Sequence, residues 1–348
     1  MRTFKKKSKK TITLLTNIPT RIIVQEGAPA TLIFESKIEN ATCLHCENAL
    51  CMQAEVSSNS NLGFDFAAEL STEICPTHSI IRNSKEGTYK IDTKTCIGCG
   101  LCAARCPIGA IYYRSDEGVF KINDEKYSYT QEEEKNSNYL YQFNLQIQEL
   151  LKLTKEGCFL AEEDNKVSAL QRKVSELKQE SQNQFVKNLL KVLGCSCEIR
   201  RVGNNYFRMD GLISSSSGKS CSPLEIEYGD DALSAIRLIL DDIAVLHSRY
   251  NIPKTEQEPL VIFHHLPRGR QGYWQVCQDI YKVTGIKVKT LTILVLIILM
   301  WNNKKLSNAY NFCFLDSDKN DLKDFVENSL ERSLELTSSV LGFLFPEK

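Results

Sequence analysis

Residues 95–111 read TCIGCGLCAARCPIGAI. Cys96, Cys99, Cys102 and Cys106 stand there as C-x2-C-x2-C-x3-C, followed by Pro107. This spacing is the bacterial pattern for ligating a [4Fe-4S] cluster, in which the fourth cysteine serves the other cluster of a two-cluster protein. The chemistry requires a tight loop that gathers three thiolates round one cube. Gly98 and Gly100 let the backbone turn closely beside it, and Pro107 stops the loop and turns Cys106 away from its neighbours. Zinc fits poorly, because zinc ribbons separate two C-x2-C pairs widely.

A second run, TCLHCENALC, carries Cys43, Cys46 and Cys51, and Cys75-Pro76 follows much later. With this second run, residues 40–113 resemble the two-[4Fe-4S] ferredoxin family, most closely the electron-transfer subunits of membrane-associated reductases and hydrogenases. The third and fourth cysteines of that family's first run are normally three residues apart, whereas 23 residues separate Cys51 from Cys75 here. This insertion must loop out and return. The matching tails CPTHSI and CPIGAI support Cys75 as the fourth ligand. The resemblance implies crossed ligation, with Cys43, Cys46, Cys51 and Cys106 on one cluster and Cys96, Cys99, Cys102 and Cys75 on the other. His45 and His78, among these cysteines, read as loop histidines rather than ligands.

The rest of the chain sets the frame. Its 348 residues, 42% hydrophobic and 25% charged, suggest two domains or three small ones. The 43 basic and 43 acidic side chains leave no net charge, which argues against a uniformly basic nucleic-acid coat. Eight of the 14 cysteines lie between Cys43 and Cys106, and the others (Cys158, Cys195, Cys197, Cys221, Cys277, Cys313) are scattered. No signal peptide is legible: after MRTFKKKSKK the segment TITLLTNIP is polar-interrupted and too short. The run Ile293 to Trp301 is about half of what a membrane-spanning helix needs. An intracellular, cytoplasmic, reduced protein whose clustered cysteines hold metal is expected, with no membrane span.

Residues 114–137 are polar. The patterns over 138–156 and 164–193 predict helices, the latter with Val167, Leu170, Val174 and Leu177 as a packing stripe. Beyond residue 185 the elements alternate. A helix end at Gly194 is followed by strands CEIRRV and YFRMDGLI joined through Gly203, Asn204 and Asn205, and by a third strand, PLEIEY. A helix over 231–250, the strand PLVIFHHL, the helix YWQVCQDIYKVTG and a buried strand running to Trp301 complete a mixed α/β domain.

Asp210 lies near the end of the second of these strands. Glu225 and Glu227 are two apart on the third and so share one face. If the two strands pair, three carboxylates converge, and a hard divalent cation is their natural partner. Mg²⁺ held there can activate water against a phosphodiester. The helix–strand–strand–strand–helix–strand order and the Asp…Glu-x-Glu spacing resemble the PD-(D/E)xK nuclease superfamily, the restriction-endonuclease-like fold. That resemblance implies Asp210 and Glu225 as metal ligands and Glu227 in the third catalytic role, with Glu180 as a lesser acid. It departs at Met209, where proline is usual, and at Glu227, where lysine is usual. Read without the resemblance, Asp210 caps a turn before Gly211 and the two glutamates lie on a solvated face. Arg268 and Arg270 beside Tyr273 and Trp274 suit a phosphate-and-base contact or, as aromatics more commonly do, a core anchor. Lys5 to Lys10 read as a solvated tail, and no phosphate loop occurs.

The expected architecture is an N-terminal extension (1–37), an α+β two-cluster ferredoxin-like domain (38–125), a helical connector (126–178) and an α/β restriction-endonuclease-like domain with a central mixed sheet (179–348). Of three functions, the first below is the main expectation and the other two are its alternatives. One is a Mg²⁺-dependent DNA endonuclease, dimeric as such nucleases often are, with structural or redox-sensing clusters. The second is a ferredoxin-type electron-transfer protein whose C-terminal domain docks a redox partner protein. The third is a nucleic-acid-binding regulator without turnover.

Overall fold

The computed structural model describes residues 31–34, 50–54, 66–83, 88–105, 111–115, 118–120, 164–204, 208–214, 221–229, 231–302, 304–306, 321–331 and 342–347. The readings made above for Cys43, His45, Cys46, Cys106, Cys158 and Cys313, and for the helix over 138–156, lie outside them. The chain divides into two compact units: Met1–Val56 with Glu73–Phe159, and Ser57–Thr72 with Leu160–Lys348.

In the first unit, β1 (Thr31–Phe34), β4 (Ile111–Ser115) and β5 (Gly118–Phe120) form an antiparallel sheet in the order β1-β4-β5. A hairpin of β2 (Ile80–Asn83) and β3 (Thr88–Ile91) pairs Ile80 with Ile91. A 3-10 turn (Leu50–Met52) carries Cys51, and the short helix α1 (Leu101–Arg105) carries Cys102. Where the insertion leaves and returns, Gln53 bridges Glu73 and the Ile74 amide donates to the Met52 carbonyl at 3.0 Å, which closes its base. Arg105, 2% exposed, ties α1 to the same place by donating from Nε to the Gln53 carbonyl at 2.9 Å.

The second unit is built on a five-stranded sheet, ordered β10-β9-β8-β7-β6. These are β6 (Ser196–Ile199), β7 (Gly211–Ser214), β8 (Ser222–Glu227), β9 (Leu260–Phe263) and β10 (Lys289–Thr292). β6, β7 and β8 meander antiparallel, and β8, β9 and β10 run parallel. Parallel strands need crossovers, which α4 (Ala232–Tyr250) and α5 (Gly272–Thr284) supply. Gly211 is required by close approach: a Cβ there would stand 2.6 Å from the Glu198 carbonyl of the neighbouring strand. The wholly buried LVIF of β9 fits a strand covered on both faces. The order α3 (Gln179–Val192), β6, β7, β8, α4, β9 is the order read from the sequence.

Three details differ from that reading. The helix over 164–193 is two helices, α2 (Asp164–Ser175) and α3, broken at 176–178. The apolar run to Trp301 is a helix, α6 (Ile293–Trp301), after the short strand β10. Thr292 starts it by accepting from the Val295 amide at 3.4 Å. Finally, residues 66–71 of the insertion pack within the second unit. Ala68 bridges Arg200, and the Glu69 amide donates to the Ile199 carbonyl at 2.8 Å, covering the outer edge of the sheet beside β6. Lys187 on α3, 1% exposed, donates to the Ser71 carbonyl at 2.6 Å. A last helix, α7 (Asp321–Leu330), completes the described elements.

Candidate functional site

Two groups of side chains bear chemistry, one in each unit. In the first, Cys96, Cys99 and Cys102 arrive on the loop that enters α1. That loop turns through Gly98 at φ +75° and Gly100 at φ +87°, left-handed conformations that glycine adopts without penalty. Cys75 comes from a different segment, yet Cys75, Cys96, Cys99 and Cys102 line one small cavity, enclosed by Ile80, Ile91, Ile97 and Leu101. The Ser79 amide donates to Cys75 Sγ at 3.2 Å and the Gly98 amide to Cys96 Sγ at 3.4 Å. Burial, then the neighbouring thiols, pushes Cys99 and Cys102 far above the ordinary thiol range. Cys51, on its own turn, acts on Cys102 more weakly than Cys99, Cys96 and Cys75 do.

This donor set suits an iron–sulfur cube. Four soft thiols converge on one cavity, Cys99 and Cys102 are held as thiols by burial until a strong positive charge stands beside them, and backbone N–H groups already point at two sulfurs. Among the described residues no three Cys, His, Asp or Glu groups stand close enough to hold a single metal ion. A cube sets its thiolates wider apart than one ion does. His78 is not among the cavity residues: its ring is 69% exposed and Nδ1 pairs with Glu73 Oε2 at 2.7 Å.

The second group sits where β7 and β8 pair. The Asp210 amide donates to Glu225 Oε1 at 3.3 Å, and the Ile226 amide donates to Asp210 Oδ2 at 3.1 Å. Arg200 Nη2 lies 3.6 Å from Asp210 Oδ1. Asp242, from the middle of α4, adds a third carboxylate that the sequence reading missed. It is 2% exposed, and its Oδ2 is buried without a hydrogen-bond partner. Burial raises the carboxyl pKa of Asp210, Glu225 and Asp242 alike, and the charge of Asp210 raises that of Glu225 further. A divalent cation would relieve that crowding. With fewer than three groups at ion-holding distance, it would be held by two carboxylates and water, as magnesium commonly is. Glu227, half-buried at the strand end, accepts from the Gly229 amide at 2.6 Å. Glu180 lies exposed in the first turn of α3.

The remaining candidates are structural. Tyr273 and Trp274 are 0% and 2% exposed: Tyr273 shares a hydrogen bond with Thr290 at 2.7 Å, and Trp274 Nε1 donates to the Arg268 carbonyl at 3.0 Å. They anchor α5 and are closed to a base. Cys195, Cys221 and Cys277 are buried thiols pushed up to about 12 by desolvation, hence unreactive, and Cys197 is buried likewise. No helix is long and apolar enough to cross a membrane among the described residues.

Comparison with known proteins bears on the first group alone. Residues 89–112 match the 4Fe-4S binding domain family. An uncharacterised ferredoxin of Methanocaldococcus jannaschii is 36% identical over 73 residues, covering 21% of this chain and 34% of the relative. The thiosulfate reductase electron transfer subunit of Salmonella typhi is 28% identical over 112 residues, 30% of this chain and 47% of the relative. Hydrogenase-4 component A of Escherichia coli is 32% identical over 69 residues, 20% of this chain and 23% of the relative. The chain thus spans less than half the length of these relatives. No solved structure matches the chain. The segment that carries Cys96, Cys99 and Cys102 is therefore a 4Fe-4S binding domain of ferredoxin type, similar to those of electron-transfer subunits.

Proposed function

We propose that the chain holds two [4Fe-4S] clusters and passes single electrons to and from a redox partner protein. The observation that carries this is the meeting of Cys75 with Cys96, Cys99 and Cys102 round one cavity, since a fourth cysteine supplied from the other run belongs to a two-cluster arrangement. Cys43, Cys46, Cys51 and Cys106 would hold the second cluster. The bound clusters supply reversible one-electron chemistry. The chain's own residues exclude water through Ile80, Ile91 and Leu101 and hold the thiolates by N–H donation at Cys75 and Cys96. The reductase and hydrogenase subunits among the relatives point to a partner of that kind. Anaerobically reconstituted protein is expected to accept electrons from dithionite and return them to an oxidised acceptor over repeated cycles with its iron retained. Clusters that break up on the first reduction would contradict the reading.

A second reading is favoured by the carboxylates of the second unit. A sheet of this order and register, with a half-buried Asp210 beside a buried Glu225, suits the restriction-endonuclease-like fold and a Mg²⁺-dependent cut in DNA. Glu227 would then orient the attacking water, and two copies would serve a double-strand break. Linear and supercoiled DNA incubated with Mg²⁺, Mn²⁺ or EDTA tests it. Metal-dependent cutting lost in Asp210→Ala is expected, whereas retention of DNA without scission would leave a binding role only.

A further inference from the structure

Three hydroxyl groups connect Cys75 to the surface. Cys75 Sγ lies 3.5 Å from Thr77 Oγ1, Thr77 Oγ1 lies 2.7 Å from Ser79 Oγ, and Ser79 Oγ lies 2.9 Å from Thr95 Oγ1. Thr95 is exposed and donates to the Asp92 carbonyl at 3.4 Å, whereas Ser79 is 1% exposed. Each hydroxyl owns one proton, so the row has two polarities. While Cys75 is a thiol, S–H gives to Thr77 and every proton points outward, ending on Asp92. Once Cys75 is a metal-bound thiolate, Sγ has no proton to give and can only accept. The row then turns inward, Thr95 to Ser79 to Thr77 to Sγ, releasing the bond to Asp92, the longest of those between oxygens. Together with the Ser79 amide, this puts two donors on one sulfur.

Hydrogen bonds to a ligand sulfur stabilise the more negative, reduced state and raise its potential. The second tail differs at these positions: CPTHSI carries Thr77 and Ser79, whereas CPIGAI carries Ile108 and Ala110. We propose, resting on the two-cluster reading above, that the Thr77–Ser79–Thr95 hydroxyls are positioning residues that make the Cys75-bound cluster the higher in potential, so that the first electron settles there. One electron enters from a low-potential one-electron donor, no bond to the protein forms or breaks, and the hydroxyl protons rotate without transfer.

Potentiometric titration of the full chain with dithionite, followed by electron paramagnetic resonance, tests this against Ser79→Ala, Thr77→Val and the hydroxyl-keeping Thr77→Ser. The wild type is expected to reduce in two separated steps. Ser79→Ala and Thr77→Val should lower the upper step alone, by about tenfold in its equilibrium constant, or about 59 mV for one electron. Thr77→Ser should restore it. Unchanged potentials at full iron content, or movement of the lower step alone, would overturn the proposal. Loss of about half the iron in both variants would make the hydroxyls structural and also overturn it. A wild type that takes up no iron is a different failure and sinks the proposed function itself.

Discussion

The two units solve the problem of a stable interior differently. In the first, the buried apolar side chains among the described residues are few: Ala54, Ile74, Ile80, Tyr89, Ile97, Leu101, Ala103, Ala104 and Ile111, beside the buried thiols of Cys99 and Cys102. In the second, β7, β8 and β9 bury Leu212, Ile213, Leu224, Val261, Ile262 and Phe263 at 0–1% exposure, with Phe185, Leu189 and Leu190 of α3 equally buried. A small apolar core seldom suffices by itself, and metal–thiolate bonds formed on folding make up the difference. The second unit has the larger apolar core among the described residues, and its carboxylates sit on that scaffold.

The sharpest way to break the comparison is to remove the metal. Chelation, or Cys99→Ser, is expected to unfold the first unit, since structural metal sites contribute on the order of 10 kcal/mol. Limited proteolysis should then cut within residues 73–120 while residues 160–306 stay protected; equal protection of both would refute the division. Next in size, Phe263→Ala should destabilise the second unit by about 3–5 kcal/mol and leave the iron content unchanged. Denaturant unfolding beside an iron assay reads both.

The carboxylates give a smaller effect of opposite sign. Burial raises the Asp242 acid to about 6, above its unfolded value, so the folded state binds the proton more tightly. Metal-free, the second unit is accordingly more stable below the ordinary carboxylate range of about 4 and loses stability as pH rises through about 6. Asp242→Asn should remove much of that slope and raise stability at neutral pH by about 1–3 kcal/mol. Thermal unfolding across pH, with and without Mg²⁺, is the check: a variant less stable than the wild type at neutral pH would contradict it. Smallest is Thr292→Ala. It removes the start of α6 and the hydroxyl that donates to the Phe343 carbonyl at 2.8 Å, for a loss of about 1–2 kcal/mol in the second unit alone.

Legibility in the sequence followed the source of each constraint. Cys96, Cys99 and Cys102 were readable because cluster ligation dictates local spacing, and the β6–β7–β8–α4–β9 order because each element carries its own period and turn residues. The run ILVLIILMW was not, since a segment buried on every side has no period to betray helix or strand; Thr292 just before it was the available signal. Asp242 was missed because an Asp241–Asp242 pair on a long amphipathic helix looks solvated until β8 is laid beside it. The same holds for Lys187, whose ammonium is used up by the Ser71 carbonyl 116 residues away in sequence. The far part of the insertion joined the second unit for a similar reason: its partners at Ile199 and Arg200 are unmarked in the sequence.

Iron and acid-labile sulfide counted per chain on anaerobically reconstituted protein test the central claim most directly, with Cys75→Ala beside the wild type. The account predicts about eight of each in the wild type and about four in the variant. About four in both, or zinc in place of iron, would contradict it.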